Sequence, residues 1–300
     1  MNKNISIIWD FDGTLTPIDS TSKTVEILKG QGSDKVFWDT IKQLRGDTKK
    51  PVWEHVLASD APIWMFSLSR LAAERNIPLN SEFFKKFVVR HVNLFPHVES
   101  FLKEIKSLEK TKRFEKQNLK INHFVVSAGL KELVEQCFPK DLIHWTFGCR
   151  YTVAYDDAKK KGSPVNVPVF CMDETMKTRS VFEIVKGTFD DPSKPVNTRV
   201  EDNKLWSPFS NLIYIGDGPT DVPAMSLIRD RGGIAVAVYD KAQSCDKTKK
   251  RLHQMSLDRR VDFITPAEFS SSGELSKYIK ARCSYILKQH EASDIDTVVQ

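Results

Sequence analysis

The chain has 300 residues and a mass of 34.3 kDa, enough to bury a sizeable core and to form one large domain or a domain with an insertion. Hydrophobic residues make up 40% and charged residues 28% of the chain, a balance that argues against extensive disorder. A net charge of +6 without a dense basic stripe argues against a dedicated nucleic-acid binder and fits a small anionic ligand.

Cysteine spacing and hydropathy indicate the compartment. The five cysteines are odd in number, widely spaced and without a C-x-x-C pair, which favours reduced thiols over a disulfide framework or a zinc site. The apolar stretch before Asp10 is too short for a signal sequence, and no apolar run is long enough for a membrane span. We therefore expect a cytoplasmic protein that does not contact membranes.

The first predicted element is a buried parallel strand at residues 5–9, where an apolar, β-branched run stops at a carboxylate. From about residue 20 to residue 92 the pattern changes to helical periods, which predicts an inserted all-helical block. The expected helices are Ser22–Lys29, Asp34–Leu44, Val52–Leu57, Pro62–Glu74 and Ser81–Val92. We expect the aromatic residues of this block to pack a small bundle rather than to stack on a ligand; they are Phe37, Trp38, Trp53, Trp64 and Phe66.

Strand and helix signals alternate after residue 94, which predicts a parallel sheet covered on both faces. The expected strands are residues 123–126, 212–215, 234–238 and 261–264, and the expected helices are residues 98–105, 131–137, 179–186, 222–228 and 273–288. Extended pieces between residues 148 and 176 suggest a hairpin, residues 190–210 a long polar loop, and residues 291–300 a frayed tail.

The strongest local signal is D-F-D-G-T-L-T at residues 10–16, directly after the first strand. Asp10 and Asp12 are two apart in an extended stretch, so both should face the crevice at the carboxyl end of the strand. Two carboxylates close together repel each other unless a cation lies between them or one is protonated, which suits a nucleophile beside an acid/base. The same Asp-Gly step also suits a plain turn.

Two further strand ends carry polar residues. Asp217 and Asp221 lie in G-D-G-P-T-D after the strand at residues 212–215, where they could bind Mg²⁺ or cap a helix. Ser127 and Gly129 follow the strand at residues 123–126, where a hydroxyl and backbone N–H groups form an anion site, although Ser127 could equally be a helix N-cap.

These three strand ends, in this order, resemble the motifs of the haloacid dehalogenase superfamily, and the position of the helical block resembles its phosphoserine-phosphatase-like branch. The resemblance implies a doubly wound, parallel-sheet, Rossmann-like α/β core at residues 1–16 and 94–300. It implies an all-helical cap domain at residues 17–93 that closes over the active site.

The resemblance also implies roles for the motif residues. Asp10 would attack phosphorus and form an aspartyl-phosphate, and Asp12 would act as acid and then as base. Asp10, the backbone carbonyl of Asp12 and Asp217 would hold Mg²⁺, with Asp221 as a ligand or outer-shell partner.

Ser127, Gly129 and a lysine would grip the phosphoryl oxygens. The lysine is expected at Lys177, which resembles the family lysine at a helix start, and the alternatives are Lys159, Lys160 and Lys161.

The expected function is hydrolysis of a small phosphorylated metabolite by a magnesium-dependent phosphatase. The alternatives are a phosphotransferase or phosphomutase that uses the same intermediate, and a catalytically silent binding protein. Thr220 stands where phosphoserine phosphatases carry Asn, so the resemblance implies the reaction class but not the substrate.

Overall fold

A computed structural model describes residues 3–44, 60–155 and 162–299, with side chains up to residue 293. Its centre is a seven-stranded sheet with the strand order β4-β3-β2-β1-β5-β6-β7. The strands are β1 (Asn4–Trp9), β2 (Lys120–Leu130), β3 (Trp145–Tyr155), β4 (Pro164–Phe170), β5 (Leu212–Gly216), β6 (Ile234–Tyr239) and β7 (Phe263–Pro266). Neighbouring strands are parallel, except that β3 and β4 form an antiparallel hairpin, as the extended pieces after residue 148 predicted.

The central strands are buried on both faces, which is why their sequences are continuous apolar runs rather than alternating ones. All five residues from Ile5 to Trp9 are fully buried, and so is the run from Leu212 to Ile215 in the neighbouring β5. The helices that cover the sheet follow its strands in sequence, as in β5 and the helix after it. The predicted doubly wound α/β core is therefore confirmed.

Within the described residues, four helices lie in the block between β1 and residue 94, and seven more follow it. The first four are α1 (Ser20–Lys29), α2 (Ser33–Leu44), α3 (Asp60–Ala73) and α4 (Ser81–Phe83), the last of which continues as a π-helix (Phe84–Val88) and a 3-10 turn (Val89–His91). The others are α5 (Val98–Ser107), α6 (Lys112–Gln117), α7 (Lys131–Gln136), α8 (Glu174–Lys186), α9 (Val222–Asp230), α10 (Asp246–Leu257) and α11 (Glu274–Val299). The predicted helix at residues 52–57, with Trp53, lies outside the described residues.

The helical block leaves and rejoins the sheet at neighbouring points. The Thr16 hydroxyl donates to the Asn93 carbonyl at 2.7 Å, and the Phe95 N–H donates to the Leu15 carbonyl at 2.9 Å. The β3–β4 hairpin also contacts the block, because the Asn166 side chain accepts from the Leu79 N–H at 2.7 Å and donates to a neighbouring carbonyl. The block is thus anchored both at its own ends and on the edge of the sheet.

Several sequence predictions of local structure were wrong. Residues 291–299 continue the helix α11 instead of fraying, and β7 lies two residues later than predicted. Two helices, α6 and α10, were missed because their apolar periodicity is weak; in the strongly polar α10 only Leu252 and Met255 are buried. Among the block aromatics, Trp64 is buried as expected, whereas Phe66 is 59% exposed.

Three further features concern the loop at residues 190–210, the cysteines and the hydropathy of the helices. The segment at residues 190–210 is mostly irregular, with short 3-10 turns near its end. All five cysteines are free. No helix in the described ranges combines the length and the apolar character that a membrane span requires.

Candidate active site

The strand register brings the three predicted strand ends to one edge of the sheet. Trp9, the last residue of β1, lies opposite Val125 of β2 and Ile215 of β5. Because all three strands are parallel, the residues that follow meet at the carboxyl edge. Asp10 comes one residue after this level, and Ser127 and Asp217 come two residues after it.

Three carboxylates form the centre of the site. One carboxylate oxygen from each of Asp10, Asp217 and Asp221 lies within 4.8 Å of the others. Asp10 is 5% exposed and Asp221 is fully buried, so these charges are largely removed from water. A buried carboxylate is costly without a compensating cation.

Lys177 supplies one such cation. Its ammonium donates to Asp10 Oδ1 at 2.8 Å and to Asp221 Oδ1 at 2.6 Å, and the side chain is 1% exposed. Lys177 lies in the first turn of α8, which begins at Glu174 after the N-cap Asp173 and therefore earlier than the predicted start at residue 179. The alternatives Lys159, Lys160 and Lys161 lie outside the described residues.

Asp221 has hydrogen-bond partners on both carboxylate oxygens. The Tyr214 hydroxyl donates to Oδ1 at 2.8 Å beside Lys177, and the Gly218 N–H donates to Oδ2 at 3.1 Å. This arrangement suits a residue that fixes Lys177 more than one that binds a metal directly. Tyr214 was not among the predicted site residues, although a hydroxyl inside the otherwise apolar Leu-Ile-Tyr-Ile strand was a visible signal.

Asp217 packs against the glycine turn of the first motif. Gly13 has a φ of +78°, and a Cβ placed on it would lie 2.4 Å from Asp217 Oδ2. Only glycine therefore lets the two loops approach this closely. The Arg251 Nη2 atom lies 4.0 Å from the same carboxylate, and α10, which carries Arg251, was not predicted.

Asp12 lies beside the cluster but has different partners. Its Oδ1 accepts from the Ser20 N–H at 3.1 Å and its Oδ2 from the Ser20 hydroxyl at 3.0 Å. Burial, and then the charge of Asp19, raise the pKa of Asp12 to about 8, while the bonds from Ser20 oppose the rise. A raised pKa favours the protonated form of the carboxyl group, which is the form that an acid needs.

Ser127 and Gly129 lie in the last part of β2, where the pairing with β3 is irregular. The Gly129 N–H donates to Ser127 Oγ at 2.9 Å, which leaves the hydroxyl proton of Ser127 free to donate. Ser127 is not a helix N-cap, because Leu130 occupies that position of α7.

The ionisation of the cluster follows from its charges. Burial and then Asp221 raise the pKa of Asp10 well above its ordinary value, and Lys177 opposes this. Burial alone would lower the pKa of Lys177, but Asp10 and Asp221 outweigh it and raise the pKa, so the lysine is charged. Burial and then Asp221 raise the pKa of Asp217 to about 6, while Arg251 opposes the rise.

The donor set fits a small, hard divalent cation. When all three carboxyl groups are ionised, they face the buried ammonium of Lys177 and the more distant guanidinium of Arg251, so one negative charge is uncompensated. Mg²⁺ prefers oxygen ligands and needs only one or two carboxylates from the protein. Asp10 and Asp217 are the side chains that could hold it, because Asp221 is already engaged by Lys177 and Tyr214.

Comparisons with known proteins bear on the fold. No family model matches the chain. An uncharacterized protein from Borreliella burgdorferi is 28% identical over 196 residues, which are 63% of this chain and 66%, just under two thirds, of that protein.

Solved structures are similar at low sequence identity. A probable phosphoserine phosphatase from Vibrio cholerae has a TM-score of 0.51 and 12% identity, over 96% of this chain and 67% of that one. An apo phosphoserine phosphatase has a TM-score of 0.47 and 15% identity, over 88% and 94% of the two chains. An L-2-haloacid dehalogenase from Xanthobacter autotrophicus has a TM-score of 0.42 and 12% identity, over 94% and 99%. The Vibrio cholerae structure shows that the chain shares the fold of a probable phosphoserine phosphatase, in agreement with the α/β fold predicted from the motifs.

Proposed function

We propose that the protein is a magnesium-dependent phosphatase that hydrolyses a small phosphate monoester through an aspartyl-phosphate on Asp10. The observation that carries this proposal is the contrast between two neighbouring carboxylates. Asp10 forms an ion pair with the Lys177 ammonium within the acidic cluster, whereas among the described residues the Asp12 carboxyl group forms its hydrogen bonds with Ser20. This contrast supports the proposal that Asp10 is the nucleophile and Asp12 the acid.

In the first half-reaction, an oxygen of Asp10 forms a bond to phosphorus while the ester P–O bond breaks. Asp12 gives its proton to the leaving oxygen, so the product is a neutral alcohol. The result is an aspartyl-phosphate and an ionised Asp12. This covalent route divides one difficult displacement into two easier ones.

In the second half-reaction, a water oxygen bonds to phosphorus and the Asp10–phosphorus bond breaks. Asp12 takes the proton from that water, which returns it to its acid form. Free phosphate leaves and Asp10 is again a carboxylate. The two steps together consume one water for each ester cleaved.

The remaining residues bind and orient the phosphoryl group. The Lys177 ammonium lies beside Asp10, and the free hydroxyl proton of Ser127, positioned by the Gly129 N–H, can reach a phosphoryl oxygen at the same strand edge. Asp10, Asp217 and the backbone carbonyl of Asp12 would hold Mg²⁺, which when bound supplies positive charge to the phosphoryl oxygens.

We further propose that the helical block at residues 17–93 acts as a cap that selects the ester. The adjacent Thr16 and Asn93 support this, because they place both ends of the block beside the first motif. Tyr151 of the hairpin donates to the Met65 carbonyl at 2.5 Å, so removal of the block would also expose part of β3. Point substitutions on the inner face of the block therefore test specificity better than deletion.

Two rival functions use the same arrangement. A phosphotransferase or phosphomutase would return the phosphoryl group to an acceptor other than water, and a silent binding protein would not turn over at all. The polar partners around Asp221 argue against the silent alternative, because Tyr214 and Lys177 maintain a buried ionic site that is costly without a function.

The deciding experiment measures phosphate release from p-nitrophenyl phosphate and from a panel of metabolite phosphate esters, with Mg²⁺ and with no added acceptor. We expect release by the wild type and none by Asp10→Asn. Asp191→Asn, which changes a partly exposed aspartate of the loop at residues 190–210, is the matched control and should retain activity. Release only with an added acceptor would identify a transferase, and no turnover under any condition would contradict the proposal.

A further inference from the structure

We propose that Ser20, the first residue of α1, is the positioning residue of the acid Asp12 and that its hydroxyl determines how well the enzyme cleaves esters with poor leaving groups. This inference rests on the proposed phosphatase function. Ser20 does not belong to the motifs that predicted the site. The inference therefore assigns a role in the chemistry to the first turn of the helical block.

The geometry ties Ser20 to both oxygens of Asp12. The Ser20 N–H and hydroxyl lie 3.1 Å and 3.0 Å from Oδ1 and Oδ2, and within the described ranges they are the hydrogen-bond partners of this carboxyl group. Ser20 is completely buried, whereas Asp12 is partly exposed, so the Ser20 side of these contacts is shielded from water. Among the described residues, Ser20 therefore orients the Asp12 carboxyl group.

Ser20 itself is held in place by its surroundings. Its carbonyl accepts from the Thr24 hydroxyl at 2.9 Å, and the N-cap Asp19 accepts from the Ser22 N–H at 2.6 Å. On the opposite side, a Cβ on Gly129 would lie 2.9 Å from Ser20 Oγ and 3.1 Å from Asp12 Oδ2. The hydroxyl is therefore confined between the helix start and the end of β2.

The chemistry of a hydroxyl suits a carboxyl group that alternates between two protonation states. A backbone N–H can only donate, so it favours the ionised form of Asp12. A hydroxyl can donate to the carboxylate and can also accept from the protonated acid. Ser20 Oγ is thus the contact that can persist while Asp12 first gives and then receives a proton.

The consequence is a dependence on the leaving group. An alkoxide is a poor leaving group and needs the proton of Asp12 as the P–O bond breaks, whereas p-nitrophenolate leaves without it. A misplaced Asp12 should therefore slow the cleavage of alkyl phosphates selectively. A general structural defect would instead slow both esters alike.

The test compares kcat/KM for an alkyl phosphate and for p-nitrophenyl phosphate, because this parameter reports the steps up to formation of the aspartyl-phosphate. In Ser20→Ala we expect kcat/KM for the alkyl ester to fall by about 30-fold or more, within the range of a general acid, and that for the nitrophenyl ester by less than about threefold. Ser20→Cys, which nearly preserves the volume but is a weaker donor, should show the same selectivity and allows the test if Ser20→Ala folds poorly. Ser20→Thr keeps the hydroxyl and should restore kcat/KM for the alkyl ester.

A second measurement asks whether Ser20 acts through Asp12. In an Asp12→Asn background, Ser20→Ala should change the ratio of the two kcat/KM values no further, because the acid is already absent. Equal losses on both esters, no loss on either, or a further change in the Asp12→Asn background would overturn the role of Ser20 and leave the phosphatase assignment intact. Absence of phosphate release from either ester by the wild type would overturn both.

Discussion

Lys177 is bound to Asp221 at least as closely as to Asp10, at 2.6 Å against 2.8 Å. Asp221 is in turn held by Tyr214 and by the Gly218 backbone, so the ammonium is fixed by a residue other than the reacting carboxylate. A lysine fixed in this way can meet a phosphoryl group without first being reoriented, which is the condition for strong electrostatic stabilisation in an active site.

Replacing Lys177 should lower stability as well as activity. In Lys177→Met the carboxylates of Asp10 and Asp221 lose their buried counter-charge, and we expect the free energy of unfolding in chelator to fall by about 3 kcal/mol. Added Mg²⁺ should recover part of that loss. Urea unfolding with and without Mg²⁺ measures both effects, and Lys194→Met at an exposed ion pair is the control, expected within about 0.5 kcal/mol of the wild type. Unchanged stability in Lys177→Met would contradict the ionic picture of the site.

The approach of Gly13 to Asp217 can be tested separately from backbone strain. Gly13 and Gly32 both have a φ of +78°, but a Cβ on Gly32 would meet nothing within 4 Å. In Gly32→Ala, backbone strain should lower the free energy of unfolding by about 1 kcal/mol. In Gly13→Ala the free energy of unfolding should fall further and most of the activity should be lost, because Asp217 is displaced. Equal unfolding midpoints for the two variants, with activity retained in both, would show that the contact is unimportant.

Buried His123 should make the fold less stable in acid. Its Nδ1 accepts from the Trp9 indole at 3.2 Å and its Nε2 lies 3.0 Å from the Leu102 carbonyl, a pairing that requires the neutral ring. Burial lowers the pKa of His123 from 6.5 to about 4. Because the folded pKa is depressed, the stabilisation is complete above pH 6.5 and is lost as the pH falls towards 4.

The size of this effect can be measured by urea unfolding at pH 7.5 and pH 5. We expect His123 to account for about 2 kcal/mol of the loss between these values. His123→Gln should be less stable than the wild type at pH 7.5, but its free energy of unfolding should fall less between pH 7.5 and pH 5. An identical loss in the variant would mean that His123 is not the titrating group.

Metal dependence should follow from the oxygen ligands of Asp10 and Asp217. Activity should vanish on chelation and return with Mg²⁺, while Ca²⁺ should inhibit, because its larger and more flexible shell can engage both oxygens of Asp10. Mg²⁺ should also raise the melting temperature, since it binds the folded state. In Asp217→Asn the Mg²⁺ concentration needed for half-maximal activity should rise at least tenfold, and full activity of the wild type in chelator would refute the metal role.

The sequence was sufficient for the parts of the site that depend on local pattern. An apolar run that stops at Asp10 or at Gly216 predicts a strand end, and parallel strands bring their ends to one edge. The structure places the predicted Asp10, Ser127 and Asp217 at that edge for this reason, whereas Lys177 reaches Asp10 from the helix α8.

Contacts between distant segments could not be predicted in the same way. Asn166 binds the backbone near Leu79, 87 residues earlier in the chain. Even the contact between Ser20 and Asp12, which are 8 residues apart, depends on how the turn between them folds. The missed helix α10 shows a related limit, since tertiary packing of Leu252 and Met255 stabilises a segment whose own periodicity is weak.

The most direct test of the account is to trap the covalent intermediate. Enzyme mixed with substrate and Mg²⁺, quenched in acid and treated with borohydride, would have an aspartyl-phosphate reduced to homoserine, which peptide mass spectrometry can locate. The account predicts homoserine at position 10, absent without substrate and absent in Asp10→Asn. An active enzyme that gave no modification at Asp10, or gave it at another carboxylate, would contradict the central claim that Asp10 is the nucleophile.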